Sequence, residues 1–254
     1  MVEAAPPTFP TESESPQKQK LIAPLWHTIV FVLIIVGISA LSYFTTRQFT
    51  GAHGGGLTEG ERMLTYAGTL IQEWVLFLYV YLGMRRRVTV RQCINARWAG
   101  AGDVWRDIGI AFGVWAVLIV IEGVFSVIVR SHGAAGTKVV EELIPHAAME
   151  LPVWTALAIS AGFCEEFIFR GYLQEQCKRL TGSVAVAVVI QAIFFGLGHG
   201  YQGWTHMIAI FLLGLVFGIV AAWRKSLAPT MIAHGWTDWF SGIGGYVLHA
   251  MHKI

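Results

Sequence analysis

Charge is scarce in this sequence. Of 254 residues only 13% are Asp, Glu, Lys or Arg, where a soluble domain carries about 25%. With 55% hydrophobic residues and a mean hydropathy of +0.57, most of the surface must face something other than water. The net charge of +2 is small and spread over connecting segments, which leaves no nucleic-acid footprint. Cysteine is scarce too. Cys93, Cys164 and Cys177 are odd in number and not closely paired, which argues against a disulfide framework and a metal-type cysteine spacing. The zinc-helix string H-E-x-x-H and the serine-nucleophile string G-x-S-x-G are both missing. A G-x-G-D string at Gly100 to Asp103 falls in an arginine-rich connection rather than in an apolar run. No Tyr-Asp pair accompanies it, so it is read as coincidence.

What the chain has instead is long apolar runs. A membrane-spanning helix needs roughly 20 mostly apolar residues. Seven runs qualify: Leu25 to Phe44, Met63 to Met84, Asp107 to Val129, Leu151 to about Cys177, Ser183 to about Gly198, Thr205 to Trp223, and Leu227 to about Met251. Backbone groups in lipid must bond internally, so the predicted fold is all-α, a polytopic transmembrane helix bundle of about seven spans. Val139 to Met149 reads as an interfacial helix or as an eighth, re-entrant piece. Ten tryptophans and seven tyrosines suit a protein with two lipid–water interfaces. Gly214 and Gly218 form a G-x-x-x-G that lets two helices approach closely.

Residues 1–20 are polar and rich in Pro, Ser, Glu and Lys, and are expected to be a disordered tail. The tail is too long and too acidic at its start for a signal-peptide n-region, and no A-x-A-like site ends the first apolar run. That run is therefore expected to be retained. Residues 21–150 then hold N-terminal transmembrane helices, and 151–254 a second block with a different character. Arg85, Arg86, Arg87, Arg91, Arg97 and Arg106 lie between the second and third runs and should be cytoplasmic. Lys18, Lys20, Lys178, Arg179, Arg224 and Lys225 fall on the same side when the spans are counted outward. The opposite connections carry only Arg47, Arg62, Arg130 and Lys138. The expected protein is multi-pass in the cell membrane, N-terminus in and C-terminus out.

Ionisable groups inside lipid are costly, so each is a functional hypothesis. Glu73 and Glu122 stand alone in their runs and are expected to be bundle-facing residues paired with an arginine or a backbone group. The dense set comes later. The fourth run places Glu165, Glu166 and Arg170 in an apolar frame, and Glu166 and Arg170, four apart, can pair. The fifth ends with Phe195 one turn before His199, and the seventh has His234 and Asp238 four apart. At about 1.5 Å per residue, Glu165 and His199 both sit roughly 25 Å from the connection near Thr181. His234 and Asp238 sit roughly 12 and 18 Å from the same side, so one shared layer is expected.

Such a set supports hydrolysis. A carboxylate in an apolar site is a competent general base, and Glu165 or Glu166 fits. Pairing of Arg170 with Glu166 would leave Glu165 the freer one. His199 and His234 could stabilise an oxyanion or protonate a leaving amine. Alternatively, two histidines and a carboxylate could hold Zn²⁺, which lowers the pKa of bound water to about 7.

Glu165-Glu166-x-x-x-Arg170, followed by Gly171-Tyr172-Leu173, resembles the E-E-x-x-x-R signature of the CPBP family, the type II CAAX prenyl endopeptidases and bacteriocin-processing membrane proteins. Phe195-x-x-x-His199 is similar to the family's second motif, and His234-x-x-x-Asp238 to its third. The resemblance covers about Val153 to Asp238, so 151–254 is expected to be a CPBP-like intramembrane protease core; the first 150 residues resemble nothing beyond membrane helices. It implies an intramembrane endopeptidase acting on membrane-delivered peptides or proteins, lipidated in the prenyl-protease branch and handled for peptide processing or self-immunity in bacteria. It also implies that Glu165 activates water, that Glu166 and Arg170 support it, and that His199, His234 and Asp238 complete the site. Both metal-dependent and metal-free chemistry are argued for the family. Asp at 238, where the prenyl-protease form has Asn, makes a zinc set of His199, His234 and Asp238 more credible. A non-catalytic immunity or scaffold protein of the same fold is one alternative. A cation-coupled transporter is another, against which the absence of an internal repeat counts.

Overall fold

The computed structural model describes residues 20–52, 56–131 and 137–251, without the side chains of 45–52, 129–131 and 137–139. The expected polar tail lies outside the described residues except for Lys20. Among the described residues ten α-helices run in chain order: α1 Leu25–Ala52, α2 Glu59–Met84, α3 Val90–Ile94, α4 Ala101–Ser131, α5 Thr137–Leu143, α6 Leu151–Glu166, α7 Glu175–Thr181, α8 Val184–Gly198, α9 Trp204–Arg224 and α10 Ala228–Met251. Short 3₁₀ turns occupy Ala148–Glu150 and Gly200–Gln202, and a π-helical stretch, Phe167–Gln174, joins α6 to α7. No strand occurs among the described residues.

Among the described residues, five helical segments are long and apolar enough to cross a membrane: Leu25–Phe44, Glu59–Met84, Ala101–Ile128, Ala148–Thr181 and Trp204–Arg224. The apolar α8 is shorter, at 15 residues. The 24 residues of α10 have the length of a span, but polar side chains and glycines dilute them. Two helices start a turn or more before their apolar runs, α2 at Glu59 and α4 at Ala101. A hydropathy run sees only the lipid-length part, whereas the helix begins where its cap is. For α2 that cap is Thr58, whose hydroxyl accepts from the Glu61 amide while the Glu61 carboxylate accepts from the Thr58 amide. The Val139 to Met149 segment is too short to cross. It is built from α5 and the 3₁₀ turn, held down where Arg62 of α2 meets Glu150 at 2.9 Å, both buried.

Lipid supplies no hydrophobic drive between helices, so close packing and buried hydrogen bonds must hold them. Gly162 of α6 lies against the backbone of α10: a Cβ there would sit 2.7 Å from the Met231 carbonyl oxygen. Gly214 of α9 meets Ala192 of α8, and a Cβ there would be 3.1 Å from the Ala192 Cα. The buried glycine carbonyls become acceptors: Gln191 donates to Gly214 at 2.8 Å and Gln174 to Gly218 at 3.0 Å. Phe31 and Ile35 of α1, Val80 and Met84 of α2, and Phe195 of α8 pack around Phe167, Ile168, Phe169, Tyr172 and Leu173. The π stretch is thus the hub of the larger core cluster. α1 is also fastened to it by polar contacts. His27 Nε2–H donates to the Tyr79 carbonyl at 3.0 Å, so its Nδ1 accepts from the Tyr172 hydroxyl at 2.8 Å.

Candidate active site

α6 ends at the paired glutamates, and the backbone widens there into the π stretch, all eight residues of which are buried. Segments of π-helix interrupt α-helices mostly at functional sites, because the register shift re-aims side chains. Here it carries Arg170. The guanidinium meets Glu166 Oε1 at 2.9 Å, and both side chains are 0% exposed. Phe195 lies 4.1 Å below the guanidinium and Phe217 5.0 Å from it, so two aromatic faces support the buried cation.

Glu166 also receives His234 from α10. Nδ1 is 3.0 Å from Glu166 Oε1, so Nδ1–H donates to the carboxylate and Nε2 points the other way. Nε2 looks toward Asp238 Oδ2 at 3.5 Å and Glu165 Oε2 at 3.8 Å. The ring stacks on Phe217, 5.2 Å between centroids, with Phe195 edge-on at 5.8 Å. One imidazole is therefore ringed by three carboxylates and held by two phenylalanines. Glu165 Oε2 is buried yet makes no hydrogen bond. Of the two adjacent glutamates, Glu166 is paired closely with Arg170 and His234, and Glu165 faces His234 without a hydrogen bond.

His199 is positioned differently. It caps the end of α8, where its Nδ1 bonds the Phe195 carbonyl at 2.8 Å, which leaves Nε2 free. Its ring is 5.0 Å from Phe195, which also touches His234. It forms no ion pair with Glu165, Glu166 or Asp238, and it feels the Asp238 charge from farther away. The tying of both Nδ1 atoms to oxygen acceptors is the support that metal-ligating histidines usually have. The donor types therefore suit zinc, but the spacing does not. Among the described residues no group of three or more His, Cys, Asp or Glu side chains is close enough to hold a metal ion.

Two polar groups stand nearer the site than the sequence suggested. Glu73 of α2 is buried and accepts a 2.6 Å hydrogen bond from Ser160 of α6, and it interacts electrostatically with Glu165, Asp238 and His234. The expected arginine or backbone partner is replaced by a hydroxyl. Only its being an intramembrane carboxylate marked it in the sequence. Tyr201, in the turn after His199, has its ring 6.0 Å from that imidazole, and its hydroxyl accepts from Gln202 at 2.8 Å. Burial pushes the Tyr201 phenol up, so it stays a protonated donor. Glu122 of α4 is exposed and has no arginine partner among the described residues, but it too interacts electrostatically with Asp238.

Residues 147–240 match the family model of the type II CAAX prenyl endopeptidase Rce1-like proteins. No curated protein and no solved structure matches the chain. The matched segment contains Glu165, Glu166, Arg170, His199, His234 and Asp238. Together with the long apolar helices, the match marks the chain as an integral membrane protein that carries a segment similar to that family.

Proposed function

We propose that this integral membrane protein, whose residues 147–240 match the Rce1-like domain, is an intramembrane endopeptidase that uses Glu165 as its base. The observation that carries the reading is one buried cluster: Glu166 locked to Arg170 and His234, and Glu165 beside them without a hydrogen bond. Glu165 takes a proton from water. The oxygen attacks the scissile carbonyl carbon, and the C=O electron pair becomes an oxyanion. His234 and His199 each donate Nδ1–H to a protein oxygen, so each can offer Nε2–H to that oxyanion only as imidazolium, the form in which both are proposed to stabilise it. The intermediate collapses, the C–N bond breaks, and Glu165 passes its proton to the leaving nitrogen. Glu166 and Arg170 hold the His234 ring through Nδ1 and do not exchange protons. Asp238 orients Nε2 from one turn further along α10.

A zinc-assisted version would require His199 to close on His234 and Asp238, and metal content is its test. The substrates proposed are peptides or membrane-associated proteins, lipidated or not, and seven helices are taken to cross the cell membrane. The direct test compares protein C-termini and processed peptides in membranes from cells with the wild-type protein and with Glu165→Ala. Products that vanish in the variant support the reading. Identical patterns, with the variant present at wild-type level, overturn it.

A further inference from the structure

Building on the endopeptidase reading of this site, we propose that the scissile segment reaches it from the extracytoplasmic face, opposite the arginine-rich connection. The first support is that the basic segments are knitted into one end of the bundle. Arg87, after α2, donates to the Leu21 carbonyl, and Arg179, at the end of α7, donates to the Lys20 carbonyl. Arg224, at the end of α9, pairs with Asp107 of α4 at 2.8 Å, and Asn95 donates to the Lys225 carbonyl. Arginine and lysine so gathered mark the cytoplasmic end.

That end is closed above the site. Gln176 is bonded to the backbone of Ile22 and Ala23 and to Thr28, and Tyr172 to His27 and Thr28. Between this layer and the glutamates, Phe169, Leu173, Gln174, Leu227 and Thr230 are all buried. Every side chain named in this wall is buried, so it separates the cytoplasmic end from the glutamates.

Exposure rises the other way. Side-chain exposure is 0% for Arg170 and Glu166, 7% for His234, 19% for Glu165 and 36% for Asp238. His199 then leads into the Gly200–Gln202 turn and to Trp204. Trp204 and Trp223, at the two ends of α9, are both strongly exposed. They stand about 28 Å apart along the helix, close to the thickness of the hydrocarbon core, as two interfacial belts would. His199 lies at the end of α8, one short turn before Trp204. The substrates so defined are secreted or translocated polypeptides and the outer segments of membrane proteins, not tails presented in the cytoplasm.

The test is labelling of single cysteines by a membrane-impermeant maleimide, in protein carrying Cys93→Ala; Cys164 and Cys177 are buried. Gln202→Cys and Ser241→Cys flank the opening, and Gln92→Cys reports the arginine-rich connection. In intact cells the first two should be labelled, and Gln92→Cys only after permeabilisation. Labelling of Gln92→Cys in intact cells, or failure of both rim positions to label before permeabilisation, overturns the proposal. The readout does not need proteolysis. If the rim labels as expected while Glu165→Gln still processes substrate, the base assignment fails and the direction of access stands.

Discussion

Two adjacent carboxylates should respond to the same substitution in opposite ways. In Glu166→Gln the loss of charge strands the Arg170 guanidinium, and neither side chain of that pair is exposed. Breaking one partner of a buried pair costs about 3–5 kcal/mol. For a chain of this size that lowers the midpoint of thermal unfolding by about 6 to 20 °C. Glu165→Gln removes a carboxylate whose Oε2 has no hydrogen bond and whose side chain is 19% exposed. Its effect on stability should stay within about 0.5 kcal/mol. Its effect on turnover should be the loss of a general base, about 10²–10⁴-fold, or about 3 to 5 kcal/mol of barrier. The assays are thermal unfolding in detergent and processing of substrates identified from the comparison of C-termini. Wild-type turnover in Glu165→Gln would refute the assignment of the base. A wild-type unfolding midpoint in Glu166→Gln would refute the claim that the pair is structural.

Asp238→Asn separates the two chemistries. Without a metal, Asn can still orient His234, so the purified variant should keep most of its activity and ignore chelators; stoichiometric zinc in the wild type, lost and restored together with activity, would show the metal-free route to be wrong. Gly162→Ala places a methyl 2.7 Å from the Met231 carbonyl oxygen, so α6 and α10 must part, at about 1–3 kcal/mol, and activity should fall with the unfolding midpoint. Gly244→Ala, on the same α10 but with nothing within 4 Å, is the control, and equal behaviour of the two would defeat the packing argument. Burial pushes the Cys93 thiol up to about 12, with Glu175 adding to the shift. Its thiolate fraction therefore grows with pH beyond the ordinary range, and maleimide labelling of solubilised wild type at Cys93 should still be rising about tenfold per pH unit near pH 9, where a plateau would contradict it.

Local rules made part of this protein legible from its residues. Apolar runs give helices wherever lipid denies the backbone a partner, and the chain is all-helical among the described residues at those runs. The i,i+4 spacing puts Glu166 and Arg170 on one face, and they pair. Three motifs in order pointed to the family whose model matches 147–240. Depth arithmetic from helical rise also placed the motif helices at one level, but with a spread too wide to assign partners. That assignment belonged to the tertiary structure. Only the π stretch, the aromatic seat of Phe195 and Phe217 and the contact at Gly162 decide that His234 bonds Glu166 and leaves Glu165 unbonded. Only the packing of α2 on α6 brings Glu73 to Ser160, and only the loop geometry ties His199 to the Phe195 carbonyl. The reason is physical. A helix fixes its own periodicity through bonds between near neighbours, whereas rotation, depth and crossing of one helix against another are set by contacts between residues tens of positions apart, which no local pattern in the sequence records.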